Sequence, residues 1–198
     1  GARAIVWTSS LSSGFSAGAD LRELHGKLQL AYDTRAKLTE KMKGAVPGTE
    51  TLDAFVPIAR RSAKRAMDAV QLRPLRKFIE RIHGVFDTFD ETPITTIAAI
   101  HGVCFGGGFE LALTADILVA EKSARFAFPE LRLGLIPGFG GIPRLERDVG
   151  NAVVRDLLFS GRSLRAKRAY EIGLVSQLVG NGKAIAVAKT LAAQTAKY

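Results

Sequence analysis

The order of short segments between residues 94 and 130 constrains the fold most. "ITTIAAI", residues 94–100, is apolar and β-branched without one charged side chain, the pattern of a fully buried strand. "HGVCFGGG" then turns the chain, "GGFELALTA" reads as a short apolar helix, and "DILVAEKS" reads as the next strand. "ARFAFPE" gives a further short strand that ends at a Pro-Glu pair. Strand, turn and helix in this alternation predict an α/β fold built on crossover connections.

The flanks extend the pattern. "ARAIVWTSS" reads as a buried strand and "SSGFSAGAD" as the loop after it. A helix is expected from about Leu21 to Lys43, with Asp20 as N-cap and Glu23 at its third position. Glycines and prolines in "GAVPGTETLDAFVP" interrupt the helical pattern, which resumes from about Ile58 to Phe89 and stops at Thr92-Pro93. Downstream, "LRLGLIPGFGGIPRLERDVG" holds two glycine turns and a short helix. "AVVRDLLFSG" and "SLRAKRAYEIG" are helices stopped by glycine, and "LVSQLV" is the last strand.

At 198 residues and 47% hydrophobic, the chain can bury a core as a single domain. It holds no run of the roughly 18–20 apolar residues that a membrane-crossing helix needs. The opening "GARAIVWTSS" has no methionine and enters a strand pattern at once, which reads as a piece of a longer protein. Cys104 is the only cysteine, which excludes disulfide frameworks and cysteine-based zinc sites and suits a reducing compartment. It reads as a small buried residue beside a glycine turn, although His101 lies three residues upstream. His25 and His83 lack a second ligand at metal spacing and read as surface residues. His101 reads as a turn residue, and no metal is expected.

The net charge of +9 is uneven. Residues 26 to 86 hold thirteen Lys and Arg against six Asp and Glu, a net +7. Such a basic segment suits phosphates, an acidic partner or nucleic acid, and equally a solvated helix face.

"CFGGGFELAL", residues 104–113, carries the chemistry. Glycines at a strand-to-helix turn let the backbone approach a ligand closely. The first amides of a helix have no intrahelical partner and sit at its positive end. Gly106, Gly107 and Gly108 can therefore offer N–H groups to an oxygen that carries negative charge. Glu110 lies three residues past Gly107, on the same helix face, and the apolar residues around it argue for burial. The stretch lacks the Gly-Lys-Ser/Thr of a phosphate loop, and no acid follows at dinucleotide-site spacing. "GFSAGADL", residues 14–21, is a second small-residue turn after a strand, able to supply another N–H. "AFPELRLGL" sets Glu130 directly after a strand and a proline.

In combination, "SAGADL", "HGVCFGGGFELALTADILVA" and "FAFPELRLGLIPGFGGIPRL" resemble the crotonase (enoyl-coenzyme A hydratase/isomerase) superfamily, from Gly1 to about Lys197 apart from the middle segment. The resemblance implies a spiral of ββα units assembled as homotrimers or hexamers, and an acyl-CoA substrate. It implies an oxyanion hole from the amides of Ala17 and Gly107, with Ala17, Gly18, Ala19, Asp20 and Gly106 edging the substrate and coenzyme A site. Catalysis would fall to Glu110, which activates water for attack on Cβ, and Glu130, which shares that task and protonates Cα. Coenzyme A enters as part of the substrate, and no separate cofactor is implied.

Three features differ from the family's pattern. Its N-terminal strands and its C-terminal helical extension are missing from this sequence, and the basic segment at about 26–90 is a long helical insertion in one domain spanning 1–198. The leading expectation is a 2-enoyl-CoA hydratase, a lyase of fatty acid metabolism in the cytoplasm, mitochondrial matrix or peroxisome. Isomerisation, hydrolysis or decarboxylation of related thioesters is the alternative within the family. Outside it stands a binding module that uses the basic segment for RNA, against which its few aromatics argue. An acidic acyl carrier protein is a further partner for that segment, through Arg60, Arg61, Lys64 and Arg65.

Overall fold

A computed structural model of the chain describes residues 1–18, 73–133 and 135–197. The chain divides into two compact units, one formed by Gly1–Ala19 with Ile82–Tyr198 and the other by Asp20–Arg81. Most of the basic segment, the helix expected at Leu21–Lys43, and both Ala19 and Asp20 lie outside the described residues. So do Arg60, Arg61, Lys64 and Arg65. The described part of the second unit is Arg73–Arg81, the beginning of helix α1 (Arg73–Asp90), with Arg76 Nε paired to Glu80 Oε1 at 2.7 Å.

The first unit contains two four-stranded sheets. One orders β1 (Ala4–Trp7), β3 (Thr95–Ile100), β5 (Ile117–Glu121) and β8 (Gln177–Val179), all parallel. The other orders β2 (Gly14–Ser16), β4 (Val103–Phe105), β6 (Arg125–Ala127) and β7 (Leu164–Arg165), parallel except for the last pair. Up to β6 the chain lays one strand in each sheet in turn, with α1 and then α2 (Gly107–Ala112) following successive strand pairs. This is the expected spiral of ββα units. After β6 come a 3₁₀ turn (Glu130–Leu133), α3 (Gly141–Val149), α4 (Asn151–Ser160), α5 (Ala166–Glu171) and α6 (Ala184–Thr195).

The unbroken apolar character of residues 94–100 now has a cause. Side chains alternate across a strand. Ala98 and Ile100 enter a core shared with Phe109, Phe126, Phe128, Leu145 and Leu157, whereas Ile97 and Ala99 face a second cluster with Val119, Ala184 and Ala188 of α6. β3 is thus covered on both faces, as central strands of parallel sheets are. Thr96, the buried polar member, bonds Asp116 through its backbone N–H and hydroxyl, each at 2.8 Å.

Several sequence readings need correction. β1 is half-buried because it forms the edge of its sheet. "SSGFSAGAD" and "HGVCFGGG", read as loop and turn, contain β2 and β4, three-residue strands that pair with each other. Strands this short show no measurable alternation, so their glycine flanks dominated the reading. α6 lies beyond the last element the sequence suggested. Among the described residues, no helix is long and apolar enough to cross a membrane.

Candidate active site

Three neighbouring parallel strands, β2, β4 and β6, end beside one another, and the residues that follow each end meet. After β2 come Ala17, which is exposed, and Gly18. After β4 comes Gly106, whose φ of +54° lies in the left-handed region that glycine adopts without strain. After β6 comes Glu130, carried by the 3₁₀ turn. The strand-end turns are in close contact. A Cβ on Gly18 would stand 3.2 Å from the Gly107 nitrogen, and a Cβ on Gly106 would stand 2.8 Å from Glu130 Oε1.

One reading of the glycine run changes here. Gly106 donates its N–H to Ala127 O at 2.9 Å, within the link from β4 to β6, and so has no amide to offer a ligand. Gly107 is the first residue of α2, where an amide has no intrahelical acceptor. Gly108 packs against Ser16, leaving no room for a side chain.

Glu110 is 1% exposed, one turn into α2, as its apolar neighbours implied. Its Oε1 accepts two backbone hydrogen bonds, from Phe139 N–H at 2.8 Å and Gly141 N–H at 2.9 Å. Burial raises its pKa, and those two N–H groups together with the charges of Arg144 and His83 pull it back. Gly141 must be glycine for space: a Cβ there would stand 2.5 Å from Glu110 Cγ and 3.0 Å from the Phe128 ring.

Glu130 has different surroundings. Burial pushes its pKa up to about 7; its own backbone N–H opposes the rise, and the charge of Glu110 adds to it. Its Oε2 is buried with no hydrogen-bond partner among the described residues. Two carboxyls within electrostatic reach therefore differ in character. Glu110 is an acceptor fixed by two amides, and Glu130 is an acid that holds its proton close to neutrality.

The structure brings together Ala17, Gly18, Gly106, Gly107, Glu110 and Glu130; Ala19 and Asp20 fall outside the described residues. Cys104 is fully buried, its thiol pKa raised by burial, and donates to Gly108 O at 3.6 Å, so it packs as a core residue. His101 bonds Leu11 O at 2.7 Å, a loop-to-loop tie. His83 is corrected: it is half-buried and bonded to Gly138 O at 2.7 Å. Arg144, the Phe139 and Gly141 amides and this His83 contact were missed. The signal was the glycine pair in "GFGGIPRL", which exposes backbone N–H groups as the first run does.

The family model for enoyl-CoA hydratase/isomerase matches residues 66–198. The chain belongs to the enoyl-CoA hydratase/isomerase family. It is 36% identical over 143 residues to human mitochondrial methylglutaconyl-CoA hydratase, covering 72% of this chain and 41% of that protein. To the fatty acid oxidation complex subunit alpha of Vibrio cholerae it is 42% identical over 168 residues, 83% of this chain and 23% of that protein. Among solved structures, Pseudomonas aeruginosa DspI superposes with a TM-score of 0.72 at 29% identity, over 99% of this chain and 63% of that one. An enoyl-CoA hydratase from Bacillus anthracis gives 0.72 at 27% identity, over 99% and 59%. The chain spans less than half the length of the human and Vibrio relatives.

Proposed function

We propose that the protein containing this chain hydrates a 2-enoyl-CoA thioester to the 3-hydroxyacyl-CoA. The observation that carries the reading is the unequal pair of carboxyls, Glu110 buried and Glu130 half-buried, at one set of strand ends. Hydration needs a base for water and an acid for carbon in one site. Glu110, held at one oxygen by two amides that favour its charged form, presents its other oxygen to a water molecule and takes its proton as the oxygen attacks Cβ. The π electrons of the enoyl group move onto the thioester oxygen. The amides of Ala17 and Gly107 receive that developing charge, at about 3–4 kcal/mol of barrier per donor. Glu130, whose pKa of about 7 leaves a substantial protonated fraction at neutral pH, gives its proton to Cα as the enolate collapses. Its Oε2, without a hydrogen-bond partner among the described residues, is the oxygen assigned to that transfer. Solvent exchange then returns each carboxyl to its starting state.

The names of the human hydratase and of a carnitinyl-CoA dehydratase from Salmonella typhi support water addition or removal on a CoA thioester. Homotrimeric or hexameric assembly belongs to the same proposal, as does action on soluble acyl-CoA in the cytoplasm or an organelle matrix.

Crotonyl-CoA hydration, followed by loss of the conjugated thioester absorbance, tests the reading on the full-length protein. Glu110→Gln and Glu130→Gln should each lower kcat by about a hundredfold or more. Retention of hydration in Glu110→Gln with loss in Glu130→Gln would overturn the two-carboxyl mechanism and leave Glu130 as the carboxyl that hydration needs. Full activity in both would remove the reading.

A further inference from the structure

We infer that His83 is a positioning residue for Glu110, acting through the single peptide group that joins Gly138 to Phe139. For its catalytic consequence the inference rests on the hydratase reading; for its geometry it does not.

His83 Nε2 lies 2.7 Å from Gly138 O. A carbonyl oxygen only accepts, so Nε2 carries a proton and the tautomer is fixed. The N–H of that same peptide group, on Phe139, donates to Glu110 Oε1 at 2.8 Å. In a trans peptide the C=O and N–H point in opposite directions. Imidazole and carboxylate thus occupy the two ends of one dipole, and each hydrogen bond polarises the other. Losing the imidazole donor would free the peptide to rotate and weaken the N–H that faces Glu110.

The next peptide groups are held in a related way. Arg144 Nη1 donates to Phe139 O at 2.9 Å, and its backbone N–H approaches Gly140 O at 3.4 Å; Gly141 N–H then donates to Glu110 at 2.9 Å. The Arg144 side chain is 11% exposed and is fixed by Asp90, at 2.7 Å from Nε, and by Asp87, at 3.3 Å. His83, Asp87 and Asp90 stand at i, i+4 and i+7, one stripe of α1. Phe86, between them, meets the Phe139 ring edge-on at 6.2 Å. One helix face therefore grips the loop that supplies both amides to Glu110.

The charged groups bearing on Glu110 are His83 from α1, Arg144 from α3 and Glu130 from the 3₁₀ turn, with Asp87 and Asp90 offsetting Arg144. A simple charge effect of His83 must be separated from the peptide relay, and glutamine does this. Its amide is neutral yet keeps an N–H for Gly138 O.

The test is a carboxyl ¹³C NMR titration of the full-length protein, with the Glu110 signal assigned by its loss in Glu110→Gln. In His83→Leu the Glu110 pKa should rise by about one pH unit as its hydrogen bond weakens. In His83→Gln it should stay near the wild-type value. kcat for crotonyl-CoA should fall about tenfold in the Leu variant with KM unchanged, and recover in the Gln variant. An unchanged Glu110 titration in His83→Leu, or a Gln variant that tracks the Leu variant, overturns the inference. His83→Asn, too short to reach the carbonyl, replaces the Leu variant should that one fail to fold. A wild-type protein that hydrates nothing defeats the hydratase reading, while the carboxyl titration still decides this one.

Discussion

Glu130 gives an expectation that needs no substrate. Its carboxyl ionises near 4.5 in an unfolded chain and near 7 in the folded protein. Between those values the folded state binds more protons than the unfolded one, so stability falls as pH rises through the window. Above pH 7 the full cost applies, and below 4.5 it vanishes. The interval corresponds to about 3.4 kcal/mol at about 1.36 kcal/mol per pH unit. Glu130 is only half-buried, so solvent screening reduces this to about 1–2 kcal/mol. Glu130→Gln removes the titration. Urea denaturation of wild type and variant at pH 4.5 and pH 8 should show the variant gaining about 1–2 kcal/mol on wild type between the two conditions. Any constant penalty from placing an amide beside Gly106 cancels in that difference. A pH-independent gap would mean that Glu130 is solvated in the folded protein, and its role as an acid at neutral pH would go with it.

Gly141→Ala should cut kcat about a hundredfold, measured by crotonyl-CoA turnover, because the new methyl displaces Glu110 and the Phe128 ring. Its stability should fall by about 1–3 kcal/mol in the same denaturation assay. Phe109→Ala, by contrast, opens a cavity between the Phe126 and Phe128 rings, whose centroids lie 5.2 and 4.8 Å from its own. Denaturation should show a loss of about 3–5 kcal/mol.

The legible parts of this protein were those with local cause. Residues 94–100 and 117–121 announce themselves because both faces of each strand are covered, which removes polar alternation. The two carboxyls and the glycine turn were readable because one helical turn fixes the relation of Gly107 to Glu110. What escaped depends on partners far along the chain. β2 and β4 exist through each other and through β6, with 86 residues between the ends of the first pair. The amides on Glu110 come from 29 and 31 residues downstream, and His83 reaches Gly138 across 55. No window of local sequence contains both members of such a pair. Gly106 shows the converse: a local rule offered its N–H to a ligand, and the neighbouring strand had already taken it.

The meeting of three parallel strand ends has a consequence for how such a protein changes over time. The residues of the candidate site follow the ends of β2, β4 and β6, with Ala17 and Gly106 one position past the last ladder pair, Glu130 three and Glu110 five, while the apolar cluster that holds the strands lies within and behind them. A residue past a strand end can therefore be exchanged without altering strand register; at half-buried Glu130 the core volume is also kept, whereas Glu110, 1% exposed, fills buried space. The sheet serves as a rack with replaceable heads. A change of chemistry is then open to single substitution at position 130 with the sheet intact, whereas a change at position 110 must also refill buried space.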